Sequence, residues 1–172
     1  MSSACKILND LILNQFSILK FKNENLSTVL AKSKIKWSLK SYLDSIEELP
    51  EALRKEIFDV WGHPYDDPLA RNNFFEFNAI KYGKVTVALQ PDRALRSDRE
   101  AEYHNLSKVP CHSYVAFYLW CRSQKTDALI HLGAHGTLEW LPGKSVALSE
   151  TCWPRALVND VPVIYPFIVN DP

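Results

Sequence analysis

The chain has 172 residues, 20 basic and 20 acidic side chains, and only five glycines. That length supports one hydrophobic core rather than two full domains, and the cancelling charges exclude a partner drawn by a strongly basic surface, whether nucleic acid or an anionic membrane. The four cysteines, Cys5, Cys111, Cys121 and Cys152, form no C-x-x-C pair and read as reduced thiols. The apolar run 11–21 is interrupted by Asn14, Gln15 and Lys20 and gives neither an export signal nor a membrane span, so the compartment expected is the cytoplasm.

In chain order, residues 4–21 place Ile7, Leu8, Leu11, Ile12, Phe16 and Leu19 at helical spacing and predict an amphipathic helix. Residues 26–40 are mixed in pattern. Residues 41–49 read as a short helix with Ser41 as N-cap and Asp44 in its first turn, ended by Pro50. Residues 51–61 read as the next helix, with Leu53, Ile57, Val60 and Trp61 as its stripe and Gly62 as its stop. Residues 1–62 are thus expected to be a helical lead-in. The following loop, 62–73, holds His63, Asp66 and Asp67, read as solvated polar residues rather than a metal site.

Strands are predicted at 74–80 and 84–90, separated by a turn at Tyr82-Gly83. The polar stretch 92–108 sets Arg93, Arg96 and Arg99 against Asp92, Asp98, Glu100 and Glu102, a long surface loop of the kind that carries function. Residues 112–122 are apolar on most sides and predict a buried helix, while 128–132 and 161–169 predict buried strands. The fold class expected is α/β. A helical N-terminal third leads into residues 74–172, where a βαβ unit sets strand 85–90 parallel to strand 128–132 across the helix 112–122. Ligands bind beyond the carboxyl ends of such strands, so Gln90 and the charged loop should meet the segment that opens at His131.

That segment, residues 131–144, holds three of the five glycines and two of the five histidines. His131, His135 and Glu139 are spaced by four, which on a continuous helix would make a set of two histidines and one carboxylate for a metal. Gly133 and Gly136 favour a strand-to-loop transition instead. Pro142-Gly143-Lys144-Ser145 ends like a Walker A motif, but the position five before Gly143 is Leu138 rather than glycine, so ATP binding is rejected. No Ser-His-acid arrangement is signalled. What remains is a loop whose imidazoles and carboxylate can exchange protons near neutrality and hold a divalent metal. Trp140 and Trp153 offer either an aromatic wall for a flat ligand or ordinary core packing.

The pattern H-x-G-x-H-G-x-L-E-x-x-P-G-K, carried by His131, Gly133, His135, Gly136, Leu138, Glu139, Pro142, Gly143 and Lys144, resembles the large subunit of the ATP-dependent cobaltochelatases of aerobic cobalamin biosynthesis. It resembles less closely the large tetrapyrrole-binding subunit, termed H, of magnesium chelatases. Leu89-Gln90-Pro91, Tyr103-His104, Ala116-Phe117-Tyr118, Ser149-Glu150-x-Cys152-Trp153-Pro154 and residues 162–172 match the same family. Its large subunits are several-fold longer, so the chain looks like an internal fragment, a partial domain of a larger chelatase subunit.

The resemblance implies insertion of Co²⁺, the substrate metal, into hydrogenobyrinic acid a,c-diamide, a corrin-type tetrapyrrole. ATP and Mg²⁺ would be used by partner AAA+ ATPase subunits and not bound by this chain. Catalytic and metal-handling roles fall to His131, His135 and Glu139, which would accept protons from the ring nitrogens or pass on the metal. Substrate-binding roles fall to Gln90, Arg93, Arg96, Trp140 and Lys144, the cations pairing with macrocycle carboxylates. Two other readings stand beside this one: a porphyrin-binding subunit like that of magnesium chelatase, and a non-catalytic truncated remnant or interaction module.

Overall fold

The computed structural model describes residues 33–94, 107–132, 137–143 and 149–165. The helix expected over 4–21 and most of the charged loop lie outside them. β1 (Lys34–Ser38), β2 (Phe74–Tyr82) and β3 (Val85–Ala88) form an antiparallel sheet in that order. β2 shows why: Phe75, Phe77 and Ala79 are buried and alternate with half-buried Glu76, Asn78 and Ile80, the period of two that puts one sheet face on a core. Tyr82 pairs with Val85, leaving Gly83-Lys84 as a two-residue turn with Gly83 at φ +56°. Glycine adopts that left-handed conformation without a Cβ penalty.

β1 lies within the stretch expected to be helical, so the described part of 1–62 is a strand followed by two helices. The first, α1 (Leu39–Ile46), starts earlier than expected and is capped by Ser38, not Ser41. Ser38 ends β1 in extended conformation, and its hydroxyl accepts the Ser41 N–H at 3.0 Å, so one residue closes the strand and opens the helix. The early start seats Leu39 in the core. The second, α2 (Glu51–Trp61), follows Pro50 and stops at Gly62, φ +74°, as the sequence indicates.

α3 (His112–Ser123) is the central element. Every residue from His112 to Trp120 is buried. Phe77 of β2 meets Phe117 edge-on, with ring centroids 5.5 Å apart, and Trp120 at 5.3 Å. On α1, Tyr42 sends its hydroxyl to His112 Nδ1 at 2.7 Å, while His112 Nε2 lies 3.0 Å from the Gly62 carbonyl oxygen. A carbonyl can only accept, so Nε2 carries the proton and Nδ1 accepts from Tyr42. A neutral imidazole therefore satisfies both partners, and burial pushes its pKa below the ordinary value of 6.5. At the other end of α3, Arg122 donates to the Ala156 carbonyl at 3.2 Å and pairs with Glu48 at 3.0 Å.

The expected βαβ unit is not the one formed. β3 is the second arm of a hairpin, and its tight turn commits it to β2. β4 (Leu129–Ile130) instead pairs in parallel with β5 (Val163–Ile164), Leu129 with Val163 and Ile130 with Ile164. The helix between those two strands is α4 (Trp153–Val158), which packs on α3. A parallel crossover is present, but it lies later in the chain than the sequence pattern suggests. Among the described residues, no helix is long and apolar enough to cross a membrane.

This packing makes two positions testable. Gly143 sits at φ +119°, and a Cβ there would lie 2.7 Å from Cys152 Cβ and 3.0 Å from its Cα. Gly143→Ala should cost more than about 1 kcal/mol in urea unfolding, since strain and overlap add. For His112 the folded pKa lies below the unfolded one, so its contribution is complete above pH 6.5 and declines as pH falls from there through the folded pKa. The urea midpoint should therefore drop between pH 7.5 and 5.5, and His112→Asn should show a shallower slope over the same window. A slope unchanged by that substitution would remove His112 from the account.

Candidate functional site

The site is assembled where β4 gives way to the glycine-rich segment. The His131 N–H donates to the Ile164 carbonyl at 2.9 Å, extending the parallel ladder by one bond and fixing where the His131 ring begins. That ring is half-buried, with Nε2 3.3 Å from the Tyr118 hydroxyl and the Tyr165 ring edge-on at 6.4 Å. Burial lowers the His131 pKa below 6.5, so the imidazole is neutral at pH 7 and can act as an acceptor.

Gln90, just past β3, reaches the same place from the other side. Its side-chain amide donates to the Tyr114 hydroxyl at 3.0 Å and to the Tyr118 hydroxyl at 2.5 Å. Tyr114 and Tyr118 are four residues apart on one face of α3, so one helix presents both hydroxyls together. Burial holds the Tyr118 phenol well above its ordinary pKa of 10.0, and it stays a neutral hydroxyl that both donates and accepts. Gln90, Tyr118 and His131 thus form one continuous polar chain.

Arg93 supplies a second bridge. It is buried, its guanidinium donates to the Trp140 carbonyl, and its own carbonyl accepts the Cys111 N–H at 3.0 Å. Trp140 closes a 3-10 turn, Thr137–Trp140, with Leu138 and Leu141 anchored in the core. Glu139 belongs to this turn. The start of the charged loop and the turn that carries Glu139 are therefore tied together by one side chain. The burial of Arg93 favours that bracing role over contact with a substrate carboxylate.

Four of the sequence-predicted residues, Gln90, Arg93, His131 and Trp140, are thus brought to one region. His135, Arg96 and Lys144 lie outside the described residues. His131 itself is not in a helix, so the spacing of four from His131 to Glu139 is not the stacked face of a continuous helix. Trp153 is fully buried and donates its indole N–H to Glu56 at 2.7 Å, which makes it core and not a wall. Gly143 is required by its contact with Cys152, a packing reason for the glycine that resembled part of a phosphate loop.

In the loop 62–73 the residues are dispersed: His63 stacks on Tyr65, and Asp67, far from solvated, is buried and accepts the Leu69 N–H at 2.8 Å. Cys111, Cys121 and Cys152 are free thiols, and burial pushes Cys121 up to about 12, far from a reactive thiolate. Sequence reasoning missed Tyr114, Tyr118 and Tyr165 as site residues. The available signal was the tyrosine pair spaced by four on an otherwise apolar helix, because a buried phenol needs a polar partner.

Comparison with known proteins bears on these residues together. A family model described as CobN/Magnesium Chelatase matches residues 6–172. The aerobic cobaltochelatase subunit CobN of Pseudomonas aeruginosa is 47% identical over 136 residues, 78% of this chain and 11% of that protein. The magnesium-chelatase H subunit of Chlorobaculum parvum is 35% identical over 94 residues, 54% of this chain and 7% of that protein. A solved structure, the catalytic subunit of cobaltochelatase from Mycobacterium tuberculosis, matches with a TM-score of 0.68 and 35% identity, covering 81% of this chain and 13% of that one. The chain spans about a tenth of the length of these relatives. With almost every residue inside the family match, the chain belongs to the CobN/magnesium chelatase family.

Proposed function

We propose that the chain carries part of the tetrapyrrole and metal site of a cobaltochelatase large subunit, which inserts Co²⁺ into hydrogenobyrinic acid a,c-diamide while AAA+ partners hydrolyse ATP with Mg²⁺. The observation that carries this reading is the polar chain Gln90–Tyr118–His131 at the mouth of the motif segment. Higher identity over a longer stretch with the cobaltochelatase protein than with the magnesium-chelatase one supports a corrin over a porphyrin.

Metal insertion needs the macrocycle to lose ring-nitrogen protons while the cation sheds water. A neutral, half-buried His131 suits either task, accepting a proton or a transient metal bond without placing a positive charge against the incoming dication. In this reading His135 completes the pair of imidazoles. Glu139, on the turn held by Arg93, supplies the negative charge that balances the metal or takes the proton. Arg96 and Lys144 meet the macrocycle carboxylates, where charge-assisted hydrogen bonds are strongest. Trp140, half-buried at the end of the same turn, offers a flat apolar surface beside them.

Titrating the purified chain with hydrogenobyrinic acid a,c-diamide and, separately, with protoporphyrin should give saturable quenching of tryptophan emission by the corrin and weaker quenching by the porphyrin. His131→Ala should abolish most of that response. Quenching by the porphyrin alone would point to the magnesium-chelatase reading, and no binding by either would leave the chain a remnant. In a full-length subunit with its partners, Glu139→Gln should lower the chelation rate by about 10² or more if the carboxylate handles protons or charge in the reaction. An unchanged rate would remove Glu139 from the mechanism.

A further inference from the structure

The parallel pair β4–β5 is covered on one side only. Leu129 packs against the core, and His131, two residues on, turns the same way toward Tyr118. Alternation puts Ile130 and Leu132 on the opposite side, and the register sets Ile164 beside Ile130. Ile130, Leu132 and Ile164 are each 50% exposed. A strand meant to show one face to water alternates apolar with polar. Here Ala128-Leu129-Ile130 and Val161-Pro162-Val163-Ile164 are apolar throughout, the composition of strands buried on both faces. Sheets of parallel strands occur almost only with both faces covered, and among the described residues these two strands pair with no third.

We infer that the outer face of β4–β5 is an interface for an apolar helix or strand layer of chelatase large-subunit polypeptide lying outside these 172 residues. The sheet's own crossover helix, α4, packs on α3, so the opposite face must be covered from elsewhere. The relatives have ample chain to do it, since the match spans only 11% of one and 13% of another. A second copy of this chain fits worse. A patch centred on three side chains is well short of the roughly 800 Å² per partner of a stable dimer, whereas a covering layer that also extends the unpaired strand edges belongs to a larger body. The interface has a consequence for the site. β4 carries Ile130 and Leu132 on one face and His131 on the other, so the layer that covers the first braces the second from behind.

The test is co-expression of the full 172-residue chain with the Pseudomonas aeruginosa aerobic cobaltochelatase subunit CobN from which the matching stretch has been deleted. Complex formation would be read by co-purification and light scattering. The expected result is a 1:1 complex, weakened at least ~10-fold by Ile130→Lys with Ile164→Lys and unaffected by Val60→Lys, an equally exposed apolar position on α2. Should the lysines lower the melting temperature of the isolated chain, Ile130→Thr with Ile164→Thr repeats the comparison with β-branched polar residues. A complex that forms but ignores these substitutions, or none at all, overturns the inference. So does a homodimer of the chain alone that the same substitutions dissociate, because the occupant would then be a second copy.

Discussion

Tyr118 joins the core to the site. Its ring lies in the core against Phe117, edge-on at 5.5 Å, and against Tyr114 at 5.1 Å, while its hydroxyl lies within hydrogen-bond reach of both Gln90 and His131. A hydroxyl buried this deeply must be paired, since an unpartnered polar group in an apolar interior costs about 1–3 kcal/mol. The demand runs both ways: the packing of α3 fixes where the hydroxyl stands, and the hydroxyl in turn fixes Gln90 and His131. Displacing α3 by a fraction of an ångström would be felt at the imidazole, because close-packed cores transmit strain and do not absorb it.

His112, on the same helix, shows the opposite use of the same residue type. Both of its ring nitrogens are engaged, by Tyr42 and by the Gly62 carbonyl, and no nitrogen is left to meet a ligand. It joins α1, α3 and the end of α2 in one buried polar contact. Two histidines of one chain, both lowered in pKa by burial, thus do different work, and hydrogen-bond saturation separates them where burial does not. That criterion, which no sequence pattern encodes, makes His112 structural and leaves His131 open to chemistry.

Much of the fold is legible from short-range signals. Helix α2 has both of its punctuation marks, Pro50 and Gly62, in the sequence, and α3 declares itself by being apolar all round. The start of α1 is not legible in the same way, because Ser38 and Ser41 are both plausible caps and only the pairing of β1 with β2 decides between them. The parallel pairing escapes the sequence for a related reason. Periodicity identifies strands but not partners, and the choice between β3 and β5 for β4 rests on long-range packing. Gln90 and His131, expected at one edge of a sheet, do meet, but through two tyrosines on the intervening helix and not through adjacent strands.

The charge balance of the site follows from the same geometry. His131 is neutral, Tyr118 holds its proton, Gln90 carries no charge, and the guanidinium of Arg93 is engaged with the Trp140 carbonyl. The rigid wall is thus built mostly from uncharged dipoles, a setting in which any charge brought to it is weakly screened and strongly felt. On the proposed reading that is what metal insertion requires. A dication and a macrocycle that must lose protons meet fixed acceptors that neither repel the cation nor trap it permanently. The ionisable side chains Glu139, His135 and Lys144 all come from the glycine-rich segment that this wall supports. The wall sets position and the segment supplies charge, which explains why the glycines of the chain are concentrated between His131 and Lys144 while the helix beneath them has none.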